Sequence, residues 1–139
     1  MAALRARHGT ESGEPGGRET GMKNQAFHSR LLFALAGVAS TLRTENSFRL
    51  QVIAAIAVGA ALLWLRPAAV WWAVAALTVS FVLAAELVNT AIEHLADHLH
   101  PELHPKIKLV KDCAAAAVLV ASVGALAVAV AFAVALLGR

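Results

Sequence analysis

Three long apolar runs limit this chain to one class of fold. They cover residues 48–65, 68–90 and 113–137. Each is close to the roughly 20 residues that an α-helix needs to cross the hydrocarbon core of a membrane. Of the 139 residues, 59% are hydrophobic and 15% are charged, and a soluble domain this small could not bury so much apolar surface. The sequence therefore predicts an all-α membrane protein with three transmembrane helices.

In residues 26–44, which precede the first span, apolar and polar residues recur with the period of an amphipathic α-helix. Leu31, Leu35 and Leu42 fall on one face of the predicted helix, and Ser40 and Thr44 fall on the opposite face. The segment is too polar to cross a membrane, but its pattern is typical of a helix that lies flat at the membrane surface with its apolar face down. We therefore predict an amphipathic surface helix here.

The first 21 residues differ in composition from the rest of the chain. They are rich in glycine and charge and show no periodicity, which predicts a disordered extension. We expect this extension to be dispensable for activity, and residues 22–139 to form a single membrane domain.

The basic residues are distributed unequally between the two sides of the predicted bundle. Ten of the twelve Lys and Arg residues fall before or at the start of the first span, or between the second and third: Arg5, Arg7, Arg18, Lys23, Arg30, Arg43, Arg49, Lys106, Lys108 and Lys111. Arg66 and Arg139 fall on the other side. Because basic loops stay in the cytoplasm, the N-terminus and the connection between spans two and three are predicted to be cytoplasmic. The net charge of +3 requires no nucleic-acid partner.

The polar chemistry is concentrated in residues 85–112, AELVNTAIEHLADHLHPELHPKIKLVKD. Glu86, Asn89, Glu93 and Asp97 follow one another at intervals of three, four and four residues, so on a helix they form one stripe. Carboxylates at the end of a membrane span are costly unless they have a partner or a function. This stripe could bind a divalent cation and accept a proton; alternatively, it is a solvated acidic face where the helix emerges into water.

The other charged groups at this boundary suit phosphoryl transfer. Glu45 precedes the first span, and Lys111 and Asp112 precede the third. Several acids beside a lysine suit Mg²⁺ bound jointly by carboxylates and phosphate oxygens. The glycine-rich signatures of P-loop NTPases and protein kinases are missing from the sequence. A simpler interpretation is also open: Asp112 caps a helix that follows a proline-shaped loop over residues 98–111, and Lys111 extends to the membrane surface.

Two other interpretations are less favoured. His94, His98, His100 and His104 are crowded together and could suggest structural zinc, but no cysteine or clear four-ligand pattern accompanies them. A non-catalytic helical bundle, such as a small channel or regulator, would carry ionisable residues near mid-membrane. Spans one and three contain none, and the second holds its acid at the cytoplasmic end.

These residues resemble the prokaryotic diacylglycerol kinase and undecaprenol kinase family of small integral-membrane lipid kinases. ELVNTAIEHLADHLHPELHPKIKLVKD is similar to the family signature E-L-x-N-[ST]-A-I-E-x-x-x-D…[EY]-H…K-D, and TENSFR is similar to its E-x-x-[FL]-R segment. The resemblance covers nearly all of residues 26–139. It implies an ATP-dependent kinase of the bacterial cytoplasmic (inner) membrane, built as a homotrimer with cytoplasmic active sites shared between protomers.

The resemblance also implies a role for each matching residue. Glu86 is expected to accept a proton with support from Asn89, while Glu45 and Glu93 are expected to bind Mg²⁺ that bridges to ATP. The nucleotide is expected to contact Glu45, Glu93, Glu102, His104, Lys111 and Asp112, with Asp97 steadying the cluster. The lipid is expected to contact Arg30, Ser47, Arg49, Trp64 and Glu86.

The predicted reaction is transfer of the γ-phosphoryl group of ATP to the terminal hydroxyl of a membrane lipid alcohol. Diacylglycerol, giving phosphatidic acid, is the favoured acceptor. Undecaprenol, giving its monophosphate, is the alternative, since both lipids present a primary hydroxyl at the interface.

Overall fold

The computed structural model describes residues 27–102 and 104–138, which form four helices in sequence. They are α1 (Phe27–Thr44), α2 (Asn46–Leu65), α3 (Ala69–Leu99) and α4 (Pro105–Leu137). Helices α2, α3 and α4 are each long and apolar enough to cross a membrane. The all-helical class and the three predicted spans are therefore confirmed for this part of the chain. The extension predicted over residues 1–21 lies outside the described residues.

The helices around the acidic stretch are longer than the apolar runs that predicted them. Helix α3 continues to Leu99 because its polar end still consists of good helix formers and contains no breaker before Pro101. Helix α4 begins at Pro105, a position where the missing N–H of proline costs nothing. His104 caps this helix, and its Nδ1 accepts a hydrogen bond from the backbone N–H of Lys106 at 3.2 Å.

The loop predicted over residues 98–111 was therefore too long. The connection between α3 and α4 is short, and most of the predicted loop belongs to the two helices. The alternative in which Asp112 caps a helix is wrong, because Asp112 lies two turns inside α4. A change in hydropathy indicates where a helix leaves the membrane for water. The helix itself ends where its backbone hydrogen bonding stops or a helix-breaking residue occurs.

The polar ends of α3 and α4 lie together at one end of the bundle and extend beyond the length needed to cross a membrane. The helices have 31 and 33 residues, or about 46 and 50 Å at 1.5 Å per residue, against a hydrocarbon core of about 30 Å. The excess of α3 lies at its C-terminal end and that of α4 at its N-terminal end, where their charged residues are. Because the two helices are antiparallel neighbours, these polar ends project together.

The four helices pack around a small core. The closest association is between α3 and α4, α2 packs on α3, and α1 makes fewer contacts with α2 and α3. Among the described residues, the buried apolar side chains are those of Phe48, Leu62, Ala96, Ala114 and Ala121. Most other large apolar side chains face outward, as expected for a chain whose outer faces meet lipid or another subunit.

The tryptophans lie at the end of the bundle opposite the acidic stretch. Trp64 is near the end of α2, and Trp71 and Trp72 are in the first turn of α3, a placement typical of an aromatic belt at one membrane interface. Between them, Arg66 adopts a left-handed conformation with φ 45° and its N–H donates to the carbonyl of Leu62 at 2.9 Å. This reversal sends α3 back antiparallel to α2.

Candidate functional site

Glu86 is the most deeply placed acid of the described chain. It lies on α3 within the region predicted to span the membrane, and only 5% of its surface is exposed. The side-chain amide of Gln51, on α2, donates from Nε2 to Glu86 Oε2 at 3.1 Å. A carboxylate at this depth requires such a partner. Sequence reasoning missed Gln51, although an amide within the apolar run of α2 was the available signal.

One turn further along α3, Asn89 and Glu93 form a second pair. Asn89 Nδ2 donates to Glu93 Oε1 at 3.1 Å, an i,i+4 contact along the predicted stripe. Asn89 is buried, and within the described part of the chain its Oδ1 has no hydrogen-bond partner. The amide therefore restricts the Glu93 carboxylate while keeping one acceptor oxygen free.

Glu45 reaches the same end of the bundle from the joint between α1 and α2. Its backbone is extended at the N-terminus of α2, and its side chain makes no capping hydrogen bond. Its Oε1 lies 3.6 Å from Nε2 of His94, the residue after Glu93. Glu45, from the joint between α1 and α2, thus contacts α3 at the residue that follows Glu93.

At the polar end of the site, an ion pair between Asp97 and Lys111 joins α3 to α4. The Lys111 ammonium lies 2.9 and 3.1 Å from the two carboxylate oxygens of Asp97. This hydrogen bond raises the pKa of Lys111 above its ordinary value, so the side chain stays positively charged throughout the neutral range. Lys111 precedes the apolar run of α4, outside the hydrocarbon core. Next to it, Asp112 pairs with Lys108 along the same helix.

The structure does not gather every predicted residue into this cluster. Trp64 is 85% exposed at the opposite end of α2. Arg30 and Ser47 are exposed in the first turns of α1 and α2, and Glu102 is exposed in the connection before α4. Their predicted contacts with lipid or nucleotide stay predictions, as does that of the helix-capping His104.

Arg49 is engaged within the protein. Its guanidinium donates to the backbone carbonyls of Leu42, at 2.8 Å, and Arg43, and to Oδ1 of Asn46 at 3.2 Å. These groups surround the joint between α1 and α2. Arg49 therefore connects α1 to α2, and Glu45 lies at the joint between the two helices.

Two grooves lead towards the cluster. A groove of about 430 Å³ lies between α1 and α3, and its lining includes Gly37, Ser40, Thr41, Thr44, Thr90 and His94. Thr41 and Thr90 are buried and were not anticipated from the sequence. A second, almost entirely apolar slot of about 330 Å³ lies between α2, α3 and α4, with Gln51 at one end and Trp71 and Phe132 at the other.

The donor set limits the kind of metal site that the cluster could form. In residues 27–102 and 104–138, no three His, Cys, Asp or Glu side chains lie close enough to hold a metal ion. Mg²⁺ usually keeps several waters and takes one or two protein carboxylates together with substrate phosphates. The carboxylates of Glu45 and Glu93 have the ligand chemistry for that kind of shared site, and the described residues contain no cage made of protein ligands alone.

The sequence of this chain is similar to those of known proteins. A family profile described as prokaryotic diacylglycerol kinase matches residues 32–133. The chain is similar to a diacylglycerol kinase of Synechocystis sp., with 38% identity over 97 residues that make up 69% of this chain and 55% of that protein. It is also similar to an undecaprenol kinase of Bacillus subtilis, with 35% identity over 97 residues, 70% of this chain and 79% of the relative.

The matches differ in how much of each relative they cover. The chain spans about half the length of the Synechocystis protein and most of the length of the Bacillus protein. The profile match contains Glu45, Gln51 and the whole acidic stripe of α3, together with Lys111. Since it covers most of the chain, the protein belongs to the prokaryotic diacylglycerol kinase family.

Proposed function

We propose that the protein is a membrane lipid kinase that transfers the γ-phosphoryl group of ATP to the terminal hydroxyl of a lipid alcohol. The observation that carries this proposal is the buried Glu86 with its amide partner Gln51, near the end of the apolar run of α3. On the same helix, Glu93 and Asp97 follow towards water, where a nucleotide would arrive. Membership of the family supports the same chemistry.

In the proposed reaction, each residue acts on a specific bond or charge. The lipid hydroxyl oxygen forms a bond to the γ-phosphorus, the bond from that phosphorus to the β–γ bridging oxygen breaks, and ADP leaves. The hydroxyl proton passes to the carboxylate of Glu86, which acts as the general base. Glu45 and Glu93 would hold Mg²⁺, which neutralises charge on the phosphates when bound. Asn89 orients the Glu93 carboxylate.

The nucleotide is proposed to lie at the water-facing end of the cluster. Lys111 stays charged beside Asp97 and is suited to contact phosphate oxygens. Asp112 follows it on α4, and Glu102 and His104 in the preceding connection are proposed to contact the rest of the nucleotide. These groups reach the same end of the bundle because α4 begins where α3 ends.

Diacylglycerol is the proposed acceptor, and undecaprenol is the second candidate. The family description and the Synechocystis relative favour diacylglycerol. The Bacillus relative, of which the match covers 79%, favours undecaprenol. The apolar slot between α2, α3 and α4 suits a hydrocarbon chain of either lipid. Purified protein should be assayed with both lipids at equal mole fraction, and the faster phosphorylated lipid identifies the acceptor.

The protein is further proposed to act as a homotrimer in the bacterial cytoplasmic membrane, with its site facing the cytoplasm and shared between protomers. Many large apolar side chains are exposed on one copy. A third groove lies between α3 and α4, and its lining includes the small residues Ala114 and Ala117, which would allow close contact with another helix. Native mass measurement in detergent should give three copies, and a monomer with full activity would contradict shared sites.

The kinase proposal is tested by two isosteric substitutions. Glu86→Gln and Glu93→Gln should each lower phosphoryl transfer by about 10²- to 10⁴-fold, the usual range for losing an acid–base group. Affinity for Mg·ATP should fall mainly in Glu93→Gln. Ser80→Ala, at an exposed position of α3 less than two turns before Glu86, is the control and should keep wild-type turnover. Wild-type turnover in Glu86→Gln would contradict its proposed role, and wild-type protein inactive on both lipids would favour a non-catalytic bundle.

A further inference from the structure

We propose that Gln51 is a positioning residue that orients the Glu86 carboxylate for proton transfer. This inference rests on the proposed function and adds to it a residue on a different helix. Among the described residues, Gln51 Nε2 is the side-chain donor within hydrogen-bonding distance of that carboxylate, at 3.1 Å from Oε2. The contact joins α2 to α3 across 35 positions of the sequence.

The geometry assigns the two carboxylate oxygens of Glu86 to different tasks. Oε2 accepts the amide N–H of Gln51, which leaves Oε1 as the oxygen to receive the hydroxyl proton. A buried carboxylate without a fixed donor could rotate about its last torsion, because terminal sp³–sp² torsions are broad. The hydrogen bond removes that freedom and keeps one oxygen directed at a fixed place.

The chemical nature of the partner suits a group that must accept a proton. A lysine or arginine in this place would form an ion pair that holds the carboxylate in its charged form. The amide of Gln51 is neutral and cannot itself be titrated, so it orients Glu86 without supplying a competing charge. Glu86 thus remains able to take up the proton of the alcohol.

The position of Gln51 also carries a cost in folding stability. Within the described part of the chain its Oε1 is buried and has no hydrogen-bond partner. An apolar side chain of similar length would fill the same space without that cost. Since Gln51 also lines the apolar slot at its Glu86 end, the amide is explained by its contact with Glu86 rather than by packing.

Gln51→Met tests this role because it keeps the side-chain length and removes the donor. We expect kcat at saturating Mg·ATP and lipid to fall about 10- to 100-fold, the effect of a small misplacement of a reacting group. The KM and the directly titrated affinity for Mg·ATP should stay within about twofold of wild type. Val52→Ala is the matched control: Val52 is the half-buried neighbour of Gln51 on α2 and is not among the residues that line the slot proposed for the lipid, so its truncation should leave kcat unchanged.

The possible outcomes separate this inference from the kinase proposal. Wild-type kcat in Gln51→Met would refute the positioning role. A loss of Mg·ATP binding in Gln51→Met, or an equal fall of kcat in Val52→Ala, would also refute it, because either result indicates a general packing effect. If Glu86→Gln is inactive while Gln51→Met is fully active, the positioning role alone fails. If Glu86→Gln retains turnover, the role of Glu86 itself fails.

Discussion

Substitution of Arg49 should loosen the joint that holds Glu45 in place. The last carbonyls of an α-helix have no partners within the helix, and in α1 two of them accept hydrogen bonds from the Arg49 guanidinium. The third acceptor is Asn46 in the first turn of α2. One side chain thus caps α1 and fixes its direction relative to α2, with Glu45 between the two helices.

The size of the effect follows from these three contacts. Arg49 is exposed, so each hydrogen bond is expected to contribute about 0.5–1 kcal/mol, the lower part of the usual range. Three such bonds amount to about 1.5–3 kcal/mol, or about 10- to 100-fold in the equilibrium for opening the joint. Arg49→Lys should lose most of this, because a single ammonium cannot replace the planar guanidinium fork.

Hydrogen exchange in lipid nanodiscs measures this opening directly. In Arg49→Met, amides of residues 41–45 should exchange about 10- to 100-fold faster, while those in the middle of α4 should be unchanged. Affinity for Mg·ATP should fall as well, because Glu45 becomes mobile. Arg43→Met is the matched control, since it removes an arginine from the last turn of α1 whose side chain has no acceptor among the described residues. Unchanged exchange at residues 41–45 in Arg49→Met would refute the capping role.

Three further substitutions have distinct expected results. Asp97→Asn should raise the KM for Mg·ATP by less than about fivefold with little change in kcat, because it removes an exposed ion pair of Lys111; a large fall in kcat would contradict this. Asn89→Leu removes the donor to Glu93 and should weaken Mg·ATP binding about tenfold by titration; unchanged affinity would argue against the orienting role. Arg66→Gly should raise stability to denaturation in detergent by about 0.5 kcal/mol, because relief of left-handed strain exceeds the entropy cost of glycine; Arg66→Ala should give no such gain.

The parts of the fold that could be predicted are those encoded locally. Three apolar runs of membrane length gave three spanning helices, and the period of residues 26–44 gave a separate helix at Phe27–Thr44. Helix ends were less predictable, because α3 and α4 continue as helices after their sequences turn polar. At the start of α4, Pro105 indicated a turn from the sequence, but it occupies the first position of a helix.

The candidate site shows the same division between local and distant contacts. The stripe of Glu86, Asn89 and Glu93 could be derived from spacing, because helical periodicity places residues three and four apart on one face. Its partners on other helices could not be derived in this way. The contact of Gln51 with Glu86, and that of Glu45 with its neighbour on α3, depend on the rotation and axial offset of packed helices, which spacing along one segment does not determine.

The position of the stripe along α3 explains how one helix could contact both an apolar lipid and a highly charged nucleotide. Glu86 is 5% exposed and Asn89 is 9% exposed, whereas Asp97, two to three turns later, is exposed. The four residues extend over about 16 Å at 1.5 Å per residue, from the membrane boundary into water. A lipid alcohol cannot leave the bilayer and a triphosphate cannot enter it, so the proposed transfer must occur where both can reach. A helix that projects beyond the hydrocarbon core with its acids on one line provides such a place without a deep soluble domain.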